Sequence, residues 1–275
     1  MSMKLAIVAA LAAGALVPVT ARASGSNAGT ETATSGAVSA SLSWDAGEED
    51  PTNLRLSITR AGSVLFNRAI PGVCRQACDL SVPDTDNFQL VDLDHDGEPE
   101  VVVSAEPNEC CDTTIGIYGF NAATGTYTEL AKNMGEALVD IQDIDDNGTV
   151  EIVGNDQRFK NLVPGHSSLF FPPAVYGYEH PASGPQLVDR TRKSLDVVVE
   201  AADELKSLLN DLKTADAFSK IYVGSYVAEE YLLGHGKVGM KEFNRQAKRG
   251  TLGNAKSVKK YRTRLLRLLK QYGYR

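Results

Sequence analysis

Two short acidic segments carry the most distinctive chemistry in the chain. One is Asp92-Leu93-Asp94-His95-Asp96-Gly97-Glu98-Pro99-Glu100, and the other is Asp143-Ile144-Asp145-Asp146-Asn147-Gly148-Thr149-Val150-Glu151. Both fit D-x-D-x-[DN]-G-x-x-E, both run on into β-branched residues, and they start 51 residues apart, which marks an internal repeat. This is the donor set of a hard cation. Ca²⁺ takes about six to eight oxygens at ~2.3–2.6 Å. Oxygens at loop positions 1, 3 and 5 converge if the backbone coils around the ion, and Gly at position 6 permits the sharp turn because it tolerates positive φ. A carbonyl at position 7 and an acid at position 9 complete the set. The expected ligands are Asp92, Asp94, Asp96, the Glu98 carbonyl and Glu100 in the first loop. In the second they are Asp143, Asp145, Asn147, the Thr149 carbonyl and Glu151. Without a cation, clustered carboxylates repel one another. His95, at position 4, is expected to face solvent.

An EF-hand needs a bidentate Glu at position 12, where this chain has Val103 and Gly154, and strand-like residues follow where an EF-hand needs a helix. The pattern instead resembles the FG-GAP or VCBS calcium-binding repeats of integrin α-subunits and of many secreted bacterial proteins. The stretch around Val91 to Ser104, the Cys110-Cys111 pair and the second loop ahead of Asp156-Gln157-Arg158-Phe159 is also similar to a group of exported bacterial proteins. The resemblance covers about Ser41 to Arg190. It implies that each loop joins two strands of a β-propeller blade and that its acids hold Ca²⁺ on the rim. About 150 residues of β structure supply about three four-stranded blades, fewer than the four to eight of closed propellers.

The elements that must hold these loops follow from hydrophobic spacing. From Ser41 to about Arg190, short β-rich runs alternate with Gly, Pro, Asn and Asp clusters. Leu54 to Thr59 alternates with period two and turns at Ala61-Gly62 into Val64 to Phe66, a hairpin. Further strand runs are Phe88–Val91, Val101–Ser104, Ile115–Phe120, Tyr127–Leu130, Leu138–Ile141, Val150–Val153, Ala174–Tyr178 and Gln186–Val188. From Leu195 the period lengthens to i, i+3, i+4, i+7, predicting helices from Leu195, over Asp216–Leu233, over Val238–Lys248 and from Asn254. The expected fold is mainly β, of antiparallel sheets in a partial propeller-like arrangement, followed by a small α-helical domain. The expected divisions are a signal peptide over 1–23, a flexible leader over 24–40, a β-domain over 41–192 and a basic helical domain over 193–275.

Compartment is read from the start of the chain. Lys4, the apolar run Leu5–Val17, the break at Pro18 and the small-x-small site Ala21-Arg22-Ala23 fit a secretory signal. A secreted or periplasmic location follows, and it suits disulfides among Cys74, Cys78, Cys110 and Cys111. Four cysteines allow three pairings. Bonding between the two clusters is the favoured expectation, because a bond between adjacent Cys110 and Cys111 strains its peptide.

No catalytic signature stands out. H-E-x-x-H, a P-loop and G-x-G-x-x-G are missing from the sequence. Gly165-His166-Ser167-Ser168 lacks the elbow of a hydrolase nucleophile. Phe159, Phe170, Phe171, Tyr176 and Tyr178, with Arg158 and Asp156, form an aromatic stretch that more often means packing than a ligand surface. The primary expectation is an exported calcium-binding, non-enzymatic binding or structural module of the cell surface or envelope, with two Ca²⁺ sites. The alternative is a secreted hydrolase of polysaccharide or cell-wall glycan that uses the β-domain as scaffold.

The net charge of −7 hides unlike parts, of which the leading segment, with Lys4 and Arg22, supplies +2. Lys237 to Arg275 holds 13 Lys and Arg against Glu242 alone, a balance of +12. The preceding body, from Ser24 to Gly236, holds 13 basic against 34 acidic residues, a balance of −21. The body is a poor partner for polyanions. The basic end is a candidate for an anionic envelope polymer or lipid, and no nucleic acid is expected.

Overall fold

The computed structural model describes residues 27–48, 50–80, 87–107, 112–135, 139–166, 168–181 and 183–275. The signal-like segment and the Cys110-Cys111 pair lie outside them. Three antiparallel sheets follow one another along the chain. Strands β1 (Gly29–Ser35), β2 (Val38–Asp45), β3 (Thr52–Arg60) and β4 (Ser63–Ala69) form the first, in sequence order. The second holds β5 (Cys78–Asp79), β6 (Phe88–Val91), β7 (Glu100–Pro107), β8 (Thr113–Asn121) and β9 (Thr126–Gly135), with β5 and β6 both pairing with β7. The third is a meander of β10 (Asp140–Gln142), β11 (Glu151–Asn155), β12 (Pro173–Glu179) and β13 (Gln186–Asp189). Each strand run expected from Leu54 onward falls on or beside one of these elements, except that Leu138 of the run Leu138–Ile141 lies outside the described residues.

The leader expectation, over 24–40, fails from Gly29 onward. Gly29–Ser35 is a strand that pairs along its whole length with β2, in register from Gly29↔Trp44 to Ser35↔Val38. Its residues are small and polar, so it carries no hydrophobic period, and it is held by the backbone ladder rather than by its own burial. Glycine also matters here: a Cβ on Gly29 would lie 2.5 Å from the Trp44 indole, which packs over that strand and donates from Nε1 to the Asn27 carbonyl at 3.0 Å.

Alternation explains how the middle sheet serves two cores. Val101 and Val103 of β7 face the first sheet, where they join Leu42, Leu56, Ile58, Phe66 and Tyr118. Val102, between them, faces the third sheet with Leu93, Ile115, Ile117, Ile152 and Tyr178. A strand buried on both faces reads as a continuous apolar run, and Val101-Val102-Val103 is one.

The disulfide joins Cys74 to Cys78, not one cluster to the other. The chain turns back after Ile70, whose carbonyl accepts from the Val73 and Cys74 N–H groups, and β5 then starts at Cys78. This brings the two Cα atoms to 6.0 Å, within ordinary disulfide reach, so the three intervening residues close the loop locally.

Four helices end the chain: α1 (Leu195–Asp211), α2 (Ala217–Leu232), α3 (Gly236–Arg249) and α4 (Ala255–Gln271). Asp216 caps α2 by accepting from Ser219 N–H at 2.7 Å, Asn254 caps α4 by accepting from Ser257 N–H at 3.0 Å, and Gly250 ends α3 at φ +81°. Their apolar faces share a third core with Phe159, Leu162 and Phe171, which come from the connection between β11 and β12. Among the described residues, no helix is long and apolar enough to cross a membrane.

Candidate metal centre

Each acidic loop is the connection of a hairpin: β6 to β7 for the first and β10 to β11 for the second. Register places Glu100 opposite Val91 and Glu151 opposite Gln142, so the position-9 acid starts the returning strand beside the residue that precedes position 1. The strands therefore close each loop, and the loop does not have to find its last acid by chance.

The two loops share one internal hydrogen-bond pattern. In the first, Asp92 accepts from the N–H groups of Asp96 (3.1 Å) and Gly97 (2.9 Å), and Asp96 accepts from Glu98 N–H (2.8 Å). In the second, Asp143 accepts from Asn147 (3.0 Å) and Gly148 (2.7 Å), and Asn147 accepts from Thr149 N–H (2.7 Å). The position-9 acid accepts from the position-2 N–H, Leu93 to Glu100 at 2.9 Å and Ile144 to Glu151 at 3.5 Å. Position 6 is left-handed in both, with Gly97 at φ +87° and Gly148 at +85°. Position 4 is left-handed as well, with His95 at +62° and Asp146 at +54°. Among non-glycine residues, His and Asp belong to the small set enriched there, a signal the sequence held and the loop pattern did not use.

This winding brings Asp92, Asp94 and Glu100 together, and separately Asp143, Asp145 and Glu151, so that one oxygen from each lies within 4.8 Å of the others. Two oxygens on one Ca²⁺ at ~2.3–2.6 Å lie at most about 5 Å apart, so both trios fit that span. Asp96 and Asn147 are exposed and brace the turn. Glu98 directs its carboxylate away to Arg60 of β3, at 2.7 and 2.9 Å, which leaves its carbonyl as the group expected in the loop. Arg60 also lies 4.5 Å from the Phe120 ring centroid. Thr149 is half-buried. The loops are neighbours, since a Cβ built on Gly148 would stand 4.0 Å from His95 Cε1.

Electrostatics distinguish the two trios. Glu100 is 2% exposed; burial first, then the charges of Asp94, Asp96 and Asp92, push its carboxyl up to about 8, against the lowering effect of the Leu93 N–H. Burial and Asp96 likewise raise Asp94, whose Oδ1 is buried with no hydrogen-bond partner. A buried carboxylate oxygen without a partner, in a residue grouped with two other acids, suits a hard divalent ion, and by that test the donors present fit one. Behind them the Tyr178 hydroxyl is also buried and unpartnered, and burial together with Glu100, Asp94 and Asp96 raises its pKa. In the second trio Glu151 has a cation already: Arg190 Nη1 stands 3.5 Å from it, and Nη2 lies 3.9 Å from Glu179. Arg190 reaches there because Gly177 has no side chain, and a Cβ would come within 2.2 Å of its Nε. Neither Arg60 nor Arg190 belongs to a local motif, so sequence reading missed both.

Arg190→Gln is expected to tighten Ca²⁺ binding at the second loop. A near-surface charge interaction of about 0.5–1 kcal/mol corresponds to ~2–5-fold. Comparison of the two titrations checks this, and weaker binding in the variant would show that Arg190 organises the loop and does not compete with the ion.

The other candidates resolve into packing. Phe159, Phe171 and Tyr178 are buried in the cores. Asp156 caps the 3₁₀ turn Gln157–Asn161, pairs with Arg158 at 2.7 Å and accepts from the Tyr274 hydroxyl at 2.8 Å. Ser168 is buried, with its Oγ accepting from Phe170 N–H at 3.0 Å, and His166 sits edge-on to Phe218. Ser167 lies outside the described residues.

No family model, curated protein or solved structure matches the chain.

Proposed function

We propose that the protein is an exported, calcium-binding, non-catalytic module whose two loops hold Ca²⁺ to lock neighbouring sheets. The observation that supports this most strongly is the repetition, at identical spacing in two hairpins, of one hydrogen-bond pattern around three convergent carboxylates. Asp92, Asp94 and Glu100 would hold one ion, with Asp96 and the Glu98 carbonyl completing its shell. Asp143, Asp145 and Glu151, with Asn147 and the Thr149 carbonyl, would hold the other. The ion would neutralise a body of balance −21 where its charges are densest. The three successive antiparallel sheets suit the FG-GAP or VCBS reading, with each loop on one blade-like unit. Export rests on the leading segment and suits a weak site, since dissociation constants of about 10⁻⁴–10⁻³ M serve extracellular modules.

Equilibrium dialysis against 1 mM Ca²⁺ and 1 mM Mg²⁺ tests the ion. Ca²⁺ should accumulate with the protein and Mg²⁺ should not, because Mg²⁺ demands octahedral geometry at ~2.0–2.1 Å and gives up water reluctantly. Equal uptake of both would contradict a dedicated Ca²⁺ site. A turnover screen on cell-wall and other glycans addresses the hydrolase alternative, and activity lost on replacing an acid outside both loops would favour it.

A further inference from the structure

The exposed face of α4 is a stripe of cations with nothing of its own to neutralise it. The helix carries seven Lys and Arg in 17 residues and no acid. At 100° per residue, Lys256, Lys259, Lys260, Arg264, Arg267 and Lys270 fall within an arc of about 140°. Tyr261, Leu265, Leu268 and Leu269 occupy the opposite side and are buried in the helical core, which fixes the direction in which the stripe faces. Five of the six cations are exposed and Arg264 is half-buried; all but Lys270 line a shallow open groove with Thr263. Among the described residues, no ion pair joins any of them to an acid, although the body of the protein is rich in acids. Like charges at i, i+3 and i, i+4 destabilise a helix. The Leu face holds this one together against that repulsion.

We infer that this stripe is a docking surface for a linear phosphodiester chain. From Lys256 to Lys270 it spans about 21 Å, with at least one cation per turn of about 5.4 Å, a row suited to a polymer bearing regularly spaced anions. Arg offers phosphate a two-pronged fork and Lys a point charge. Two other anionic partners suit the surface less well. A helix that lies in a bilayer presents an apolar face to it, but α4 has spent its apolar face on the core, and none of the exposed large hydrophobic residues lies on it. Unpaired nucleic acid bases are held by exposed aromatic platforms, and the stripe has no aromatic residue. What remains is recognition of the anionic backbone itself. This inference does not depend on the calcium reading.

The test uses the full chain and a fluorescent abasic deoxyribose-phosphate 20-mer, a phosphodiester chain without bases. Binding should weaken by about 300-fold between 50 and 200 mM salt, the loss expected for about six phosphate contacts on a flexible strand. The triple variant Lys259→Gln, Lys260→Gln, Arg264→Gln should bind at least ~10-fold more weakly, with about half the salt slope. Lys206→Gln with Lys213→Gln, on other exposed positions, should bind as the unaltered protein does. Circular dichroism establishes that both variants fold. The inference is overturned if the triple variant keeps full affinity and slope. It is equally overturned if polyglutamate, vesicles of anionic lipid or a thymidine 20-mer is bound clearly more tightly than the abasic chain, since carboxylate, bilayer or base recognition would then be the better account.

Discussion

Replacing Glu229 with methionine is expected to raise the melting temperature by about 6–10 °C at pH 8 and by much less at pH 4.5. Glu229 sits in α2, a helix buried on most of its sides, in which Ile221, Val227 and Ala228 are buried as well. Its side chain is 0% exposed and neither carboxyl oxygen has a hydrogen-bond partner. Burial first, then the charges of Glu230 beside it and Glu204 of α1, holds its pKa well above the ordinary carboxylate value, and Tyr274 from the C-terminus also faces it. The sign follows from linkage. A carboxyl raised on folding contributes stability that is fully present below its unfolded value near 4.5 and is lost as pH rises toward its folded value. A buried polar group left without a partner costs about 1–3 kcal/mol, and more when it must carry a charge, so the cost of Glu229 grows as pH rises above 4.5. Methionine is unbranched, of similar length and apolar, so it fills the space and removes the cost. For a domain of this size, 1 kcal/mol moves the melting temperature by ~2–4 °C. Thermal melts of both proteins across pH 4.5 to 8 check the result, and a variant no more stable than the parent at pH 8 would show that Glu229 has a partner in solution.

Calcium should stabilise the protein by a comparable amount, and more at high pH than at low. At 10 mM Ca²⁺ and dissociation constants of about 10⁻⁴–10⁻³ M, each site adds ~1.4–2.7 kcal/mol, or about 10 °C for two sites. Glu100, raised to about 8 in the metal-free loop, must lose its proton to bind the ion. Affinity at the first loop should therefore fall about tenfold for each pH unit below 8. The metal-free protein moves the other way: the stability that neutral Glu100 contributes is present near pH 4.5 and is lost as pH rises to 8. Raising the pH should weaken the metal-free protein and strengthen the response to Ca²⁺. In Glu100→Gln both trends should flatten, while the contribution of the second loop persists. A calcium-induced shift that is the same at pH 6 and pH 8 would show that Glu100 is not a ligand.

Much of this molecule could be read before its structure, and the reasons are local. The helix starts at Asp216 and Asn254, the Ala61-Gly62 hairpin turn and the strand runs depend on residues within a few positions of one another. The same holds for the convergence of Asp92, Asp94 and Glu100, where nine residues and one hairpin contain all the information. The features that escaped are those made by distance or by an absence of pattern. Arg60 meets Glu98 across two sheets, and Arg190 reaches Glu151 over a glycine on a neighbouring strand. The first strand has no hydrophobic period because its partner holds it. Glu229 carries no local sign of its burial, and only the packing of the other helices around α2 shows that this helix has almost no polar face.

The central claim is that two ions bind, one in each loop. Isothermal titration of Ca²⁺ into the metal-free chain at pH 8, alongside Asp94→Asn and Asp145→Asn, tests it most directly. Two ions per chain are expected for the parent, one for each single variant and none for the double variant. No heat and no change in melting temperature at millimolar Ca²⁺, or two ions still bound by the double variant, would contradict it.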